Sequence, residues 1–372
     1  MGIRLMLGVA LFATAPLVVG AEDAKPTHTL RPPADVTWLS FTPDSKQLLT
    51  GGNAVPNLAD EISYELRLWS VASGGLVAAS PKSSGVGASG VVSPDGRMAL
   101  TGGSTGEWRL WELPGLKTVH RGQLANLRIH RVAFRPDGEA FTVLLRDSRR
   151  NRDWANYEAF AFDTASGRPL GKPTPWAAER LQGSPVGAPS TGPPAGWALG
   201  NDPPFDRKGV IVAPAGRLDE ALEVPGDDDG CGGPMARAYS RDGKRALSAG
   251  CNGQVVVWDY PARTVVGKPL ATFRRLAVSE PGLALAADGR RAAVVNTDKV
   301  FDANLPSLTV YDLDTRKVVV GPLKLGSTGL GLISALAFSP DGSVLAIAFS
   351  RGGAGVAQRT SEVQLWAMPA KD

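Results

Sequence analysis

The chain has 372 residues, more than the roughly 250–300 at which one hydrophobic core stops growing, so it calls for two domains or a repeat architecture. Charged residues make up 20% and hydrophobic residues 43%, the balance of a folded soluble protein. The formal net charge of +4 is a small excess of base rather than a polycation, which argues against a nucleic-acid-binding face.

Residues 1–21 read as a secretory signal peptide. Arg4 supplies the positive start, Leu5 to Val19 is an apolar stretch, and Val19-Gly20-Ala21 is a small-residue cleavage site. The alternative is an uncleaved anchor, for which the stretch is short against the roughly 20 residues that span a bilayer. No Cys follows the apolar stretch, so no lipid-modified N-terminus is expected. The mature chain, 22–372, is expected in the periplasm or outside the cell, with no membrane insertion after cleavage.

One pattern then recurs: an apolar strand, a turn of the Ser-Pro-Asp-Gly type, and a second apolar strand ending in small residues. Copies are Thr42-Pro43-Asp44, Ser93-Pro94-Asp95-Gly96, Arg135-Pro136-Asp137-Gly138, Ser240-Arg241-Asp242-Gly243, Asp288-Gly289 and Ser339-Pro340-Asp341-Gly342. A weaker copy is Pro194-Ala195-Gly196 before Trp197-Ala198-Leu199-Gly200. The anchors fall at residues 44, 95, 137, 195, 242, 288 and 341, and the regular spacing itself argues for seven units. A third strand follows in each, ending at Trp69, Trp111, Phe162, Trp258, Tyr311 and Trp366; the weak unit offers Val210–Ala213 and lacks the aromatic.

These units resemble WD40 repeats over nearly all of the chain from about residue 27. The resemblance implies an all-β fold, a single seven-bladed β-propeller of four-stranded antiparallel blades. Six blades with a large insertion at the Pro/Gly stretch 183–196 is the alternative. Blades stacked face on face would bury their inner strands on both sides, and the third-strand aromatics would fill the wedges between them. Only six residues follow Trp366, so the last blade lacks an outer strand; residues near 27–31 are expected to supply it and to close the ring.

The chain departs from the WD40 pattern in one respect. The family joins a His, an Asp, a hydroxyl and the Trp in a hydrogen-bonded network. None of the three His residues, 28, 120 and 130, falls where the resemblance requires it, and the Asp positions before Trp111 and Trp258 hold Thr105 and Asn252. The hydroxyl partners survive as Thr101 and Ser248. Cys231 and Cys251 fall in two loops that the family geometry brings together, and in an exported chain they are expected to form a disulfide.

Function is read from the loops. Turn Asp and third-strand aromatic lie 16 residues apart in blades two and five, but 23 to 25 apart in blades one, three, six and seven. The added length falls between the second and third strands, whose connections open on one face of a propeller, and insertions collected on one face mark a binding face. That face would carry Arg146, Arg149, Arg150, Arg152 and Trp154 from blade three, Lys299 and Phe301 from blade six, and Arg351 and Arg359 from blade seven. Arginines beside aromatics suit carboxylates or aromatic surfaces on a protein or peptide partner. Blade one is more acidic there, with Asp60 and Glu61, and Asp227-Asp228-Asp229 should share the face. Three consecutive carboxylates cannot all point at one ion, which disfavours a Ca²⁺ site.

The His residues carry no recognisable nucleophile-base motif, no metal-ligand cluster is present, and no glycine-rich phosphate loop opens a helix. The sequence therefore reads as a non-enzymatic, monomeric binding scaffold without a cofactor. The alternatives are a hydrolase or lactonase working at the central channel, and a glycan- or Ca²⁺-dependent ligand-binding propeller.

Overall fold

The turn-and-strand pattern folds into antiparallel β-sheets throughout. The computed structural model describes residues 25–33, 35–52, 63–84, 89–124, 128–135, 137–146, 157–172, 174–176, 197–199, 209–214, 222–225, 236–240, 244–249, 254–259, 264–272, 282–296, 307–324, 332–350 and 361–370. Seven sheets follow one another along these residues. The first joins Trp38–Phe41, Gln47–Gly51, Arg67–Ser70 and Leu76–Ala79, each strand pairing with the next in sequence. The second joins Ser89–Val92, Met98–Gly102, Glu107–Glu112 and Lys117–Gln123. The third joins Arg128–Phe134, Ala140–Arg146, Tyr157–Asp163 and Thr174–Trp176.

The fourth is three-stranded, Trp197–Leu199, Gly209–Pro214 and Leu222–Pro225. The fifth joins Ala236–Tyr239, Arg245–Ala249 and Gln254–Asp259, with Thr264–Val265 and Ala271–Thr272 both paired to its third strand. The sixth joins Leu283–Leu285, Arg291–Asn296, Ser307–Asp312 and Val318–Lys324. In the seventh, Leu332–Phe338, Val344–Ser350 and Ser361–Ala367 are joined by His28–Leu30 from the other end of the chain. His28 lies opposite Leu365 and Leu30 opposite Val363, and the Thr27 amide donates to the Leu365 carbonyl at 2.7 Å.

Burial explains the strand sequences. The second strands of the first, second and fifth sheets are buried at every position after the first, so they read as apolar runs, whereas the outer strand of the first sheet is largely exposed. The innermost strands touch in the order fifth, sixth, seventh, first, second, third. Between each pair in that series lies one apolar cluster, and the third-strand aromatic packs toward the preceding sheet. Trp69 packs with the seventh sheet, Trp111 with the first, Phe162 with the second, Tyr311 with the fifth and Trp366 with the sixth.

The Ser-Pro-Asp-Gly motif follows from the hydrogen bonds of its turn. The Ser93 hydroxyl donates to Asp95 Oδ1 at 2.6 Å and accepts from the Met98 amide at 2.9 Å, while the Arg97 amide donates to the same Asp95 oxygen at 3.0 Å. Thr42 and Asp44, and Ser339 and Asp341, repeat the arrangement. The residue after the Asp takes a positive φ, which glycine adopts at no steric cost: Gly96 (75°) and Gly342 (72°) do so, and Ser45 (61°) stands in their place in the first sheet.

Neighbouring sheets are also tied at their rims. Nε2 of His28, on the outer strand of the seventh sheet, donates to the Ala72 carbonyl of the first at 3.0 Å. Nε2 of His120, on the outer strand of the second, donates to the Ala165 carbonyl of the third at 2.9 Å. Each imidazole lies against a glycine of that turn, Gly74 or Gly167, where a Cβ would come within 3 Å of the His side chain. The third sheet's outer strand is interrupted. Pro169, which has no N–H to extend a ladder, makes a single bridge to Phe162, and pairing resumes only at Thr174–Trp176.

Candidate functional site

The first-to-second-strand turns of adjacent sheets meet one another. Pro43 lies under the Gly96 turn and Pro94 near the Gly138 turn, so that an added Cβ would sit 3.1 and 3.8 Å from the respective proline Cδ. Arg245 Nη1 donates to the Gly289 carbonyl at 3.1 Å, Arg291 Nη1 to the Gly342 carbonyl at 3.4 Å, and the Asp341 amide to Ser45 Oγ at 3.1 Å. These turns therefore share one face. Because strands alternate in direction, the second-to-third-strand connections leave from the opposite end of every sheet.

Those connections differ in length. They run from Gly102 to Glu107 in the second sheet and from Ala249 to Gln254 in the fifth. They run from Arg146 to Tyr157 in the third, Asn296 to Ser307 in the sixth and Ser350 to Ser361 in the seventh. In the first sheet the connection from Gly51 to Arg67 includes a ribbon in which Ser63–Tyr64 pairs with Ser83–Ser84. Arg146 ends the second strand of the third sheet, opposite Tyr157 and Arg128. Arg149, Arg150, Arg152, Trp154, Lys299, Phe301, Arg351 and Arg359 lie outside the described residues, as do Asp60, Glu61, Asp227-Asp228-Asp229, Cys231 and Cys251.

The described part of this end carries a feature that the search for His and Asp partners missed. Glu65 precedes and Arg67 and Trp69 lie in the third strand of the first sheet, and Glu107, Arg109 and Trp111 alternate along that of the second. Arg67 Nη2 lies 3.1 Å from Glu65 Oε1, and its guanidinium stands 5.9 Å from the Trp69 ring centroid. Arg109 Nε donates to Glu107 Oε1 at 2.6 Å, and its guanidinium stands 5.7 Å from the Trp111 ring. The seventh sheet uses Gln364, which donates to Glu362 at 2.8 Å and accepts from the Trp366 indole at 3.2 Å.

Three other indole N–H groups meet a hydroxyl. Trp69 Nε1 donates to Thr50 at 3.0 Å, Trp111 to Thr101 at 2.9 Å and Trp258 to Ser248 at 2.8 Å. Each of these three indoles is thus held by a hydrogen bond and its packing, and in the first two sheets Arg67 and Arg109 lie over the rings. The signal in the sequence is Glu-x-Arg-x-Trp at 65–69 and 107–111.

At the seam of the seventh and first sheets, Pro32, Asp35, Thr50, Glu65 and Arg67 line a cavity with room for about one water, far below the roughly 300 Å³ of a small-molecule site. Among the described residues no three His, Cys, Asp or Glu side chains are placed to hold a metal ion. The innermost strands, so far as they are described, carry no Asp or Glu.

No protein-family model and no curated protein sequence matches the chain. Its shape does match. The β-propeller domain of Cps50 (Swd1) from Myceliophteria thermophila superposes with a TM-score of 0.61 at 14% identity, over 93% of this chain and 99% of that domain. This chain folds as a β-propeller. Its sheets are the blades, the aromatic rings fill the wedges between them, and the face opposite the Asp turns is the one on which blades one, three, six and seven carry longer connections than blades two and five.

Proposed function

We propose that this propeller is an exported, non-enzymatic scaffold that binds a protein or peptide partner through the face bearing the long connections between second and third strands. The carrying observation is the contrast between the two faces. On one, the Asp turns are short, alike and bonded to one another. On the other, the connections vary in length, and those of blades three, six and seven bring Arg146, Arg149, Arg150, Arg152, Trp154, Lys299, Phe301, Arg351 and Arg359. A repeat scaffold leaves such loops free to diversify while its packed blades hold them in place. The leader at residues 1–21 supports placing the mature chain, 22–372, in the periplasm or outside the cell. Cys231, ahead of blade five's first strand, and Cys251, after its second, are proposed to form a disulfide there.

The test is capture of partners from envelope extract by the mature protein and by a variant with Arg146, Arg149, Arg150 and Arg152 changed to Glu. A defined partner retained by the wild type and lost by the variant is the expected result. The same partner on both places the contact elsewhere. Capture by neither turns attention to a small molecule or a reaction at the channel.

A further inference from the structure

Residues opposite one another in an antiparallel sheet share a face, with Cβ atoms about 4.5–5.5 Å apart, so each row across a blade is a unit of interaction. At the long-connection end of blade three the row is Arg128, Arg146, Tyr157 and Trp176, each opposite the next. Arg128 opposes Arg146, and like charges set directly opposite destabilise a sheet. No carboxylate stands in that row. The next row on the same face runs from Arg131 through Leu144 and Ala159 to Thr174, which adds a third cation and no acid.

Other blades avoid this arrangement. The matching end rows of blades two, five and seven begin with Ser89 opposite Gly102, Ala236 opposite Ala249, and Leu332 opposite Ser350. Among the described residues, no other such row opposes two cations. The row of blade three is also the root of the connection from Arg146 to Tyr157, which carries Arg149, Arg150, Arg152 and Trp154. Leu145, one position before Arg146, belongs to the apolar cluster between blades two and three, so the row stands on the other face of the sheet, outside that wedge.

We propose that this row is where an acidic peptide segment of the partner docks, with Arg128 and Arg146 taking a carboxylate and Tyr157 and Trp176 the aromatic or apolar residue beside it. The proposal rests on the reading of the long-connection face as the binding face and names the chemistry of the partner there. A planar carboxylate set between two guanidinium forks turns their mutual repulsion into charge-assisted hydrogen bonds. Arginine beside Tyr and Trp is also the combination in which binding energy concentrates at protein interfaces. The aromatic half of the row offers nothing to a bare phosphate, which is what favours a peptide.

The test is fluorescence anisotropy with the full-length mature protein and a short labelled peptide carrying adjacent Glu residues and a Phe. Saturable binding that weakens as salt rises is expected, at least about tenfold weaker for Arg128→Gln/Arg146→Gln and lost when the Glu residues of the peptide become Gln. Because it removes a like-charge contact, Arg128→Gln alone should melt no lower than the wild type, whereas an arginine kept for an ion pair within the chain would lower the melting temperature. Three results would overturn the proposal: no binding by the wild type up to about millimolar peptide, equal binding of the Glu and Gln peptides, or a lower melting temperature of Arg128→Gln with peptide binding unchanged. Capture from envelope extract separates this proposal from the reading of the face, since Arg128 and Trp176 are untouched in the four-arginine variant. A partner lost by that variant but kept by Arg128→Gln/Trp176→Ala overturns the row and leaves the face. Peptide binding at the row with no envelope partner for any form leaves the row as a carboxylate site and removes the face's scaffold role.

Discussion

Blades two and three fill the same wedge position with different chemistry. In blade two, Trp111 is 1% exposed and bonds to Thr101, which is fully buried. In blade three, Phe162 stacks on Phe141 at 5.1 Å and 15°, and Trp108 leans on both at 4.8 and 5.0 Å, with no hydrogen bond required of the ring at the wedge. The register explains the choice. Trp111 lies opposite Ala99 and Phe162 opposite Phe141. Two residues further along the second strand come Thr101 in blade two and Val143 in blade three.

The rule extends around the molecule. Trp69 has Thr50 at this step, Trp258 has Ser248, and Tyr311 has Val294. Trp366 has Ile347, and its indole turns to Gln364 instead. An indole N–H needs an acceptor once buried, whereas Phe does not, so ring and partner change together.

The largest way to break this comparison is to remove a ring. Trp111→Ala and Phe141→Ala should each lower the unfolding free energy by about 3–5 kcal/mol in a urea titration, because both leave a cavity in a wedge shared by two blades. A sharper probe is Thr101→Val, which keeps shape and strands the Trp111 N–H in the interior, at a cost of about 1–3 kcal/mol. In a Trp111→Phe background the same Thr101→Val change should cost little, since the pair then copies blade three; equal costs in both backgrounds would sink the rule.

The smallest effect is on pH. The Thr42 hydroxyl, the Lys46 amide and the Lys46 charge hold the Asp44 carboxyl below its ordinary value of 3.8. A depressed folded pKa gives stability that is present above pH 3.8 and lost as pH falls through the folded value. The melting temperature of the wild type should therefore drop more steeply below that pH than that of Asp44→Asn.

The propeller architecture was legible because its determinants are local and repeated. A hydroxyl-Pro-Asp-Gly turn specifies its own hydrogen bonds, and doubly buried second strands read as apolar runs. Thr101 and Ser248 could be picked out beside their tryptophans, but Thr50 needed the register of blade one. The Glu-Arg-Trp alternation was not legible from the family pattern, because it involves neither His nor Asp. The roles of His28 and His120 were also illegible: their acceptors, Ala72 and Ala165, belong to the next blade, 44 and 45 residues away. The candidate face was legible only as spacing. Loop residues carry no strand period, so sequence places the insertions without arranging Arg149 or Phe301 within them.

Blade seven pairs His28–Leu30 with Ser361–Ala367, and the other six sheets lie between them in sequence. Val36 accepts this arrangement too, its amide donating to Ser361 Oγ at 3.2 Å across 325 positions of sequence. His28–Leu30 has no strand to pair with until Ser361–Ala367 has been made, so the wedge between blades one and seven is among the last to fill. Contacts so far apart in sequence form late and slowly, because the intervening chain has to be gathered before they are rewarded. Pairing of His28–Leu30 is thus expected among the slow steps of folding, and a chain stopped short of Ser361 would leave that strand without its partner.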